Sequence, residues 1–404
     1  MPQPLSSRTI EIVRATVPAL EQHGTAITTA MYARLFEDAH IRALFNHANQ
    51  GESGTQVHAL AAAILAYARN IENLGALGPA VERIAHKHIG YHILPEHYPY
   101  VANALLAAIR DVLGVAATDA VIAAWGEAYW FLADILRARE AELREQLSAA
   151  QGGWTGWRRF VVTEKTRESN VITSFVLHPE DGGPVVRHKP GQYLTVRLRP
   201  DGGPELKRNY SISCGPNDRS YRISVKREGA GQGGSRFLHD EVDVGDILES
   251  APPSGDFVLP EDQRRPVILL SGGVGLTPML SMAEAIAEAF PHVRAYYVHG
   301  TLSSETHAMR DRVRALAETC PNFGFATFYS DPLDGDRLGT THHQRGFISI
   351  DWLAQNTPLH DADVFLCGPK PFLRAFVSGL GRAGVAPERI HFELFGPADE
   401  LIAA

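Results

Sequence analysis

Cysteine is scarce in this chain. Only Cys214, Cys320 and Cys367 occur in 404 residues, far apart and odd in number. They cannot build a disulfide framework or a four-cysteine zinc or iron–sulfur site. Long hydrophobic runs are missing too. Ala59–Ala66 and Val101–Ile109 fall far short of the roughly 20 residues that cross a bilayer, so no transmembrane segment is expected. Met1-Pro2-Gln3-Pro4 has neither the positive start nor the apolar core of a secretory leader, and a reduced, cytoplasmic location follows as the simplest expectation. Positive charge is not in excess: the net charge is −8, which leaves no basic footprint for nucleic acid.

What is present describes an ordinary globular protein, 45% apolar and 21% charged, with enough chain for two or three cores. The strongest feature is a seam at Gln151-Gly152-Gly153-Trp154-Thr155-Gly156-Trp157. Before it the patterns are helical; after it come short alternating strands and glycine turns.

In residues 1–150, Ile10, Val13, Val17 and Leu20 recur at helical spacing. So do Tyr32, Leu35 and Phe36, then Val57, Leu60, Ile64, Ala68 and Ile71, then Val81, Ile84, Ala85 and His88. Glycines and prolines separate these stripes. An all-α domain of about six to eight helices is predicted. Three positions interrupt it chemically. His88 sits on the apolar face, either as a core histidine or as an axial ligand to haem iron. Glu140 falls on the stripe Trp125, Tyr129, Leu132, Leu136, Glu140, Leu143. Either it is a buried carboxylate that needs a partner, or the stripe meets water there. Tyr32 and Gln56 are polar tips at the edge of an apolar face, able to hydrogen-bond a small ligand or simply to mark the boundary.

Past the seam the period becomes two. Arg159–Val162, Ile172–Leu177, Tyr193–Leu198, Tyr210–Ser213 and Tyr221–Val225 read as strands of a small antiparallel barrel ending near residue 262. Arg208-Asn209-Tyr210-Ser211 puts a cation, a ring and a hydroxyl along one strand, a set suited to a diphosphate attached to a planar ring. From Pro266 strands and helices alternate, which predicts a parallel sheet with helices on both faces. Val267–Leu270 feeds Ser271-Gly272-Gly273-Val274-Gly275-Leu276-Thr277-Pro278 and then a helix through Ala289, the arrangement that receives pyrophosphate. Cys367 ends a later strand, as a group beside a cofactor or as a small buried hydrophobe.

The first third resembles the bacterial flavohaemoglobin globin in Met31-Tyr32-Ala33-Arg34-Leu35-Phe36, Phe45-Asn46, Gln56, Lys87-His88 and Pro95-Glu96-His97-Tyr98-Pro99. The resemblance implies a haem b whose iron is held by His88, with Tyr32 and Gln56 on the distal side and Phe45 on the porphyrin. It implies that Tyr98 and Glu140 hydrogen-bond around His88 and strengthen it as an electron donor. His86, His92 and His97 are expected at the surface. The ordered set Arg208–Ser211, Gly272–Pro278, Cys367-Gly368-Pro369 and Phe392-Glu393-Leu394-Phe395-Gly396-Pro397 resembles the ferredoxin–NADP reductase-like family. That resemblance gives FAD to Tyr193, Arg208, Asn209, Tyr210, Ser211 and Ser235. The pyrophosphate of the nicotinamide cofactor goes to Gly273, Val274, Gly275, Leu276, Thr277 and Pro278. Leu394, Phe395, Gly396 and Pro397 would meet the flavin, with Cys367 near the nicotinamide.

The whole chain is therefore similar to flavohaemoglobin: a globin over 1–150, an FAD-binding β-barrel over 151–262 and an NAD(P)-binding α/β domain over 263–404. The activity this implies is nitric oxide dioxygenation. NAD(P)H reduces FAD, electrons pass singly to the haem, and NO and O2 become nitrate, with Tyr32 and Gln56 assisting the bound oxygen. Lys87 and Glu393 would stand between haem and flavin. NADH against NADPH stays open, lipid is a further candidate occupant of the haem pocket, and a monomer is expected. The alternative is a general NAD(P)H-dependent flavin reductase acting on peroxides, quinones or haem acceptors. A gas sensor is disfavoured because no output domain follows the globin.

Overall fold

The computed structural model describes residues 4–45, 55–200, 202–229 and 233–395. Within them the chain forms two units that divide between Ala149 and Ala150.

The first unit is helical throughout its described residues. Its helices are α1 (Ser7–Ala15), α2 (Val17–Leu35), α3 (Ala39–Leu44), α4 (Thr55–Arg69), α5 (Gly78–Tyr91), α6 (Tyr98–Leu113) and α7 (Asp119–Ala149). Short polar side chains start two of them. The Ser6 hydroxyl accepts from the Thr9 N–H at the head of α1, and Asp38 accepts from the His40 and Ile41 N–H groups at the head of α3. The core joins Val13, Leu20, Ile27, Met31, Ile71, Leu105, Ile109 and Trp125. Ala102, Ala104 and Ala108 on α6 are buried, and small residues let α6 pack closely on α2. One helical stretch, Pro95–Ala116, is by length and composition long and apolar enough to cross a membrane, contrary to the expectation from unbroken apolar runs. Leu105, Ala108 and Ile109 of that stretch belong to the helical core, as in the core helix of a folded domain.

The second unit opens with the seam. Gly152 (φ +72°) turns the chain where any Cβ would lie 2.5 Å from the Val185 carbonyl carbon. Trp154 then packs on Phe160 and Tyr221, and the Trp157 ring lies 4.6 Å from the Arg197 guanidinium and 5.7 Å from the Lys207 ammonium. The strands β1 (Arg158–Arg167), β2 (Ile172–Pro179), β3 (Tyr193–Leu198), β4 (Leu206–Ser211), β5 (Tyr221–Lys226) and β6 (Ile247–Ser250) pair antiparallel in the order β4-β3-β6-β1-β2-β5. An Ile212–Ile223 bridge ties the end of β4 to β5 and closes the barrel. Its interior holds Phe160, Phe175, Leu194, Val196, Ile212, Tyr221 and Ile223. Helix α8 (Gly234–Asp240) precedes β6.

A parallel sheet follows, ordered β10-β9-β8-β7-β11-β12. Its elements are β7 (Val267–Gly272), α9 (Leu276–Ala289), β8 (Ala295–Thr301), α10 (Arg310–Thr319), β9 (Phe323–Tyr329), β10 (Gln344–Arg345), α11 (Ile350–Asn356), β11 (Asp363–Cys367), α12 (Lys370–Arg382) and β12 (Ile390–Glu393). Every residue of β7 is buried, as a central strand covered on both faces requires. Going along the chain, β8 and β9 are added on one side of β7 and β11 and β12 on the other. The strand order reverses there, and such a sheet opens a crevice at the carboxyl ends of the two strands.

Candidate functional site

Two constellations stand out, one in each unit. In the helical unit three helices bring His88, Tyr98 and Glu140 together. His88 lies near the end of α5, Tyr98 begins α6, and Glu140 is two-thirds along α7. Helix α7 runs on to Ala149, so the stripe does not meet water at Glu140, which is 0% exposed. The Tyr98 hydroxyl donates to Glu140 Oε1 at 2.5 Å, and His88 Nδ1 lies 2.7 Å from the same oxygen and 3.1 Å from the Tyr98 hydroxyl. Burial and the bond to Glu140 push the Tyr98 phenol far above its ordinary range, so its proton stays on oxygen.

A carboxylate only accepts, so His88 Nδ1 must carry a hydrogen and donate it to Glu140. In the neutral ring that leaves the lone pair on Nε2, which has no hydrogen-bond partner among the described residues. The Arg144 guanidinium, 3.6 Å from Glu140 Oε2, supplies a counter-charge to the buried carboxylate. Tyr129 donates to the Tyr98 carbonyl at 2.8 Å and pins the head of α6. This donor set, a neutral imidazole oriented through its other nitrogen by a carboxylate, suits a haem iron.

Tyr32, on α2, is buried and stacks on Phe36 with ring centroids 5.5 Å apart; the Phe45 ring meets it edge-on at 5.7 Å. Burial pushes the Tyr32 phenol up to about 12, so it remains a donor at neutral pH. The Gln56 side chain lies outside the described residues, although α4 includes its backbone. Lys87 is exposed on α5. One surface assignment is corrected. His97 is buried, its Nδ1 accepting from the Leu94 N–H at 2.9 Å, because the turn before α6 folds the ring back over its own backbone. His86 is half-buried, and His92 takes a left-handed φ of 57° to end α5.

In the second unit, β3 and β4 set Tyr193 opposite Ser211, and Val196 opposite Arg208. The strand begins at Leu206, four residues before the Tyr210 expected from alternation. Lys207 is buried under Trp157, so it breaks the apolar–polar pattern without leaving the sheet. The Arg208 side chain lies against Gly234, where an added Cβ would come within 3.1 Å of its Cγ. Ser235 follows at the head of α8, its hydroxyl accepting from the Glu228 N–H at 3.1 Å with its own hydrogen still available. Asn209 accepts from Thr195 at 3.0 Å. Burial holds the Tyr210 phenol neutral. Tyr193 lies over Gly255, whose missing side chain leaves room for the ring. A cation, a neutral phenol and hydroxyls around a glycine-lined cradle fit an FAD diphosphate and ring.

The crevice between β7 and β11 is built from backbone. Gly273 turns with φ +55°, and a Cβ on Gly275 would lie 2.1 Å from the Cys367 carbonyl oxygen. The turn after β7 thus rests directly on the turn after β11. Gly273 and Val274 are partly exposed, whereas Leu276, Thr277 and Pro278 are buried as the first turn of α9. Amides at the head of that helix are the natural seat of a pyrophosphate. The Cys367 thiol is fully buried and pushed well above its ordinary range, first by burial and then by Glu393, its partner across β11 and β12. Leu394 is partly exposed and Phe395 exposed, while Gly396 and Pro397 lie outside the described residues. Unforeseen from the sequence are the buried pairs Ser271–His299 (2.9 Å) and His307–Tyr329 (2.9 Å) at the carboxyl ends of β7, β8 and β9.

Comparison with known proteins agrees in both units. Residues 29–136 match the globin family and residues 269–378 the oxidoreductase NAD-binding domain. A flavohaemoprotein of Xylella fastidiosa is 58% identical over 399 residues, which span 99% of each chain. The crystal structure of a flavohaemoglobin from Malassezia yamatoensis, with bound FAD and haem, superposes with a TM-score of 0.85 at 26% identity, covering 98% of this chain and 100% of that one. The FAD/NAD-binding domain of a nitric oxide dioxygenase from Vibrio cholerae is 38% identical, with a TM-score of 0.54 over 59% of this chain and 99% of its own. A globin and an FAD/NAD-type oxidoreductase module thus share one polypeptide, and the chain belongs to the flavohaemoprotein family.

Proposed function

We propose that this protein is a nitric oxide dioxygenase, converting NO and O2 to nitrate at a globin haem with electrons drawn from NAD(P)H through FAD. The observation that carries the proposal is the orientation of His88, whose Nδ1 is held by Glu140 and Tyr98 while Nε2 is left without a partner among the described residues and could bind iron. Bound FAD would supply the splitting of a hydride's electron pair into single electrons, and bound haem the iron at which oxygen and nitric oxide combine.

The chain's own residues do the rest. Glu140 draws on the Nδ1 hydrogen and makes His88 a stronger electron donor than a free imidazole. Tyr32, a neutral buried phenol, donates a hydrogen bond on the distal side; Gln56 joins it there and Phe45 packs on the porphyrin. Tyr193, Arg208, Asn209, Tyr210, Ser211 and Ser235 hold FAD, with Arg208 neutralising its diphosphate. Gly273–Pro278 hold the nicotinamide nucleotide by the head of α9. Leu394–Pro397 meet the flavin, and Lys87 and Glu393 adjust the potentials of the two redox groups. Cytoplasmic residence belongs to the same proposal and is supported by three cysteines that are all free thiols.

The test is spectroscopic and kinetic. The protein reconstituted with haem and FAD should show a Soret band, consume nitric oxide in air with NADH and release nitrate. His88→Ala should abolish nitric oxide consumption and leave NADH-driven reduction of an artificial flavin acceptor intact. No Soret band after reconstitution, or nitric oxide consumption that persists in His88→Ala, sinks the proposal.

A further inference from the structure

Helix α9 carries a carboxylate that the pyrophosphate turn does not use. Leu276–Ala283, Ala285 and Ile286 are all buried, and Glu284 interrupts them with its side chain only 17% exposed. A carboxylate in that position needs partners, and it finds them outside its own sheet. Glu284 Oε2 accepts from the Gly215 N–H at 2.6 Å, and Oε1 accepts from the Arg222 guanidinium at 3.3 Å. Both residues belong to the antiparallel barrel. Arg312 of α10 adds a contact at 3.1 Å to Oε1, from a more exposed position. Arg222 is itself anchored: its Nη2 donates to the Ser213 carbonyl, and its Nε donates to the Ser213 hydroxyl at 3.3 Å. Ser213 lies two residues beyond Ser211, just past the end of β4.

A continuous chain of bonds therefore runs from the Arg208–Ser211 strand through Ser213 and Arg222 to Glu284, and along α9 to the Gly273–Gly275 turn. A second tie runs parallel to it, His188 Nε2 of the barrel lying 3.1 Å from Ser281 Oγ on α9. The approach is close: a Cβ on Gly215 would stand 3.1 Å from the Glu284 Cβ, and one on Gly191 2.6 Å from the Met282 Cε. Hydride transfer breaks the C4–H bond of a dihydronicotinamide and delivers its hydrogen, with both electrons, to flavin N5. The nicotinamide is oxidised, the flavin is reduced, and the two atoms must first come within about 3.5 Å. A misplacement of about 1 Å costs on the order of 100-fold in rate. Two modules that each hold one reactant therefore need a rigid reference between them.

We propose that Glu284 is a positioning residue for hydride transfer, setting α9 and its glycine turn against the flavin-binding barrel through Arg222 and the Gly215 amide. The inference rests on the assignment of FAD to the barrel and of the nicotinamide nucleotide to the turn. It is tested on the full chain loaded with haem and FAD, reduced anaerobically by NADH in a stopped-flow instrument, with wild type beside Glu284→Ala and Glu284→Gln. At saturating NADH the flavin-reduction rate constant is expected to fall about tenfold or more in Glu284→Ala, and less in Glu284→Gln, which keeps an acceptor for Gly215. The half-saturating NADH concentration should hold within about threefold, and the isotope effect of C4-deuterated NADH should rise as the hydride step becomes slower. Independently of turnover, hydrogen exchange at the Gly215 amide should accelerate in Glu284→Ala. Wild-type reduction rates in Glu284→Ala, an effect confined to half-saturation, or loss of FAD from that variant would overturn the inference. Wild-type protein that takes up no FAD, or is not reduced by NADH, would instead overturn the assignment beneath it.

Discussion

Alanine at position 275 would place a methyl group 2.1 Å from the Cys367 carbonyl oxygen, 2.4 Å from its carbon and 2.8 Å from the Gly368 nitrogen. Ordinary contact begins near 3.4 Å, so the turns after β7 and β11 must part by about 1.3 Å at the tightest point. The obstacles are backbone atoms in adjacent paired strands and cannot rotate away. Overpacking of this kind costs about 3 kcal/mol, the upper end of its usual range. Gly273 provides the contrast two residues earlier. Its φ is +55°, yet nothing lies within 4 Å of an added Cβ, so Gly273→Ala carries only the left-handed penalty of about 1 kcal/mol. Urea unfolding of the reductase unit, followed by flavin fluorescence, should therefore rank Gly275→Ala well below Gly273→Ala in stability. The Soret band serves as an internal control that should not change. NADH-driven flavin reduction should fall about 100-fold in Gly275→Ala, because a shift above 1 Å displaces the nucleotide's seat. Equal stability of the two variants, or near-normal flavin reduction in Gly275→Ala, would refute the claim that contact between the two turns forces the glycine.

Three further outcomes follow from the same structure. Glu140→Gln keeps the shape of the side chain and removes its charge, so the haem midpoint potential should rise by about 60 mV, a tenfold change for one electron; spectroelectrochemistry that finds no shift counts against the role given to Glu140. His188 and His299 are fully buried, and burial lowers each to about 4 from the 6.5 of an unfolded chain. The unfolded state therefore binds more protons between pH 6.5 and pH 4, and stability is complete above that window. It should fall by about 2 kcal/mol per histidine on reaching pH 5, as urea titrations at about pH 7 and pH 5 would show; a flat profile contradicts this. Gly152→Ala drives a Cβ to 2.5 Å from the Val185 carbon, whereas Gly182→Ala, at a similar φ of +69°, meets nothing. Thermal unfolding should separate the two by about 2 kcal/mol, and similar melting would speak against the seam as a packed turn.

Much of this was legible in the sequence where one local rule decided the outcome. The strand start at Val267 and the helix end at Ala289 match expectation, while the strand runs two residues beyond Leu270 and the helix begins at Leu276; a buried parallel strand and a glycine turn leave few alternatives. Glu140 was conspicuous as a charge on an apolar stripe. The same rule marks Glu284, whose neighbours on α9 are as buried, but its partners Gly215 and Arg222 lie more than sixty residues away and leave no local signal. Strand β6, helix α8 and the start of β4 escaped because their patterns depend on partners far along the chain. Lys207 is held by Trp157, and Ile247–Ser250 pairs with both β1 and β3. His299 and His307 are buried by tertiary neighbours, and His97 by its own turn, none of which periodicity announces.

The deep placement of two thiols bears on chemical endurance. Burial keeps both Cys214 and Cys367 protonated well above neutral pH. Thiolate is the form that peroxide oxidises and that nitrosating agents modify. Un-ionised and buried, neither sulfur offers those reagents the form they attack. Both sulfurs are thus stored in the fold as small buried groups, in the form least open to either attack.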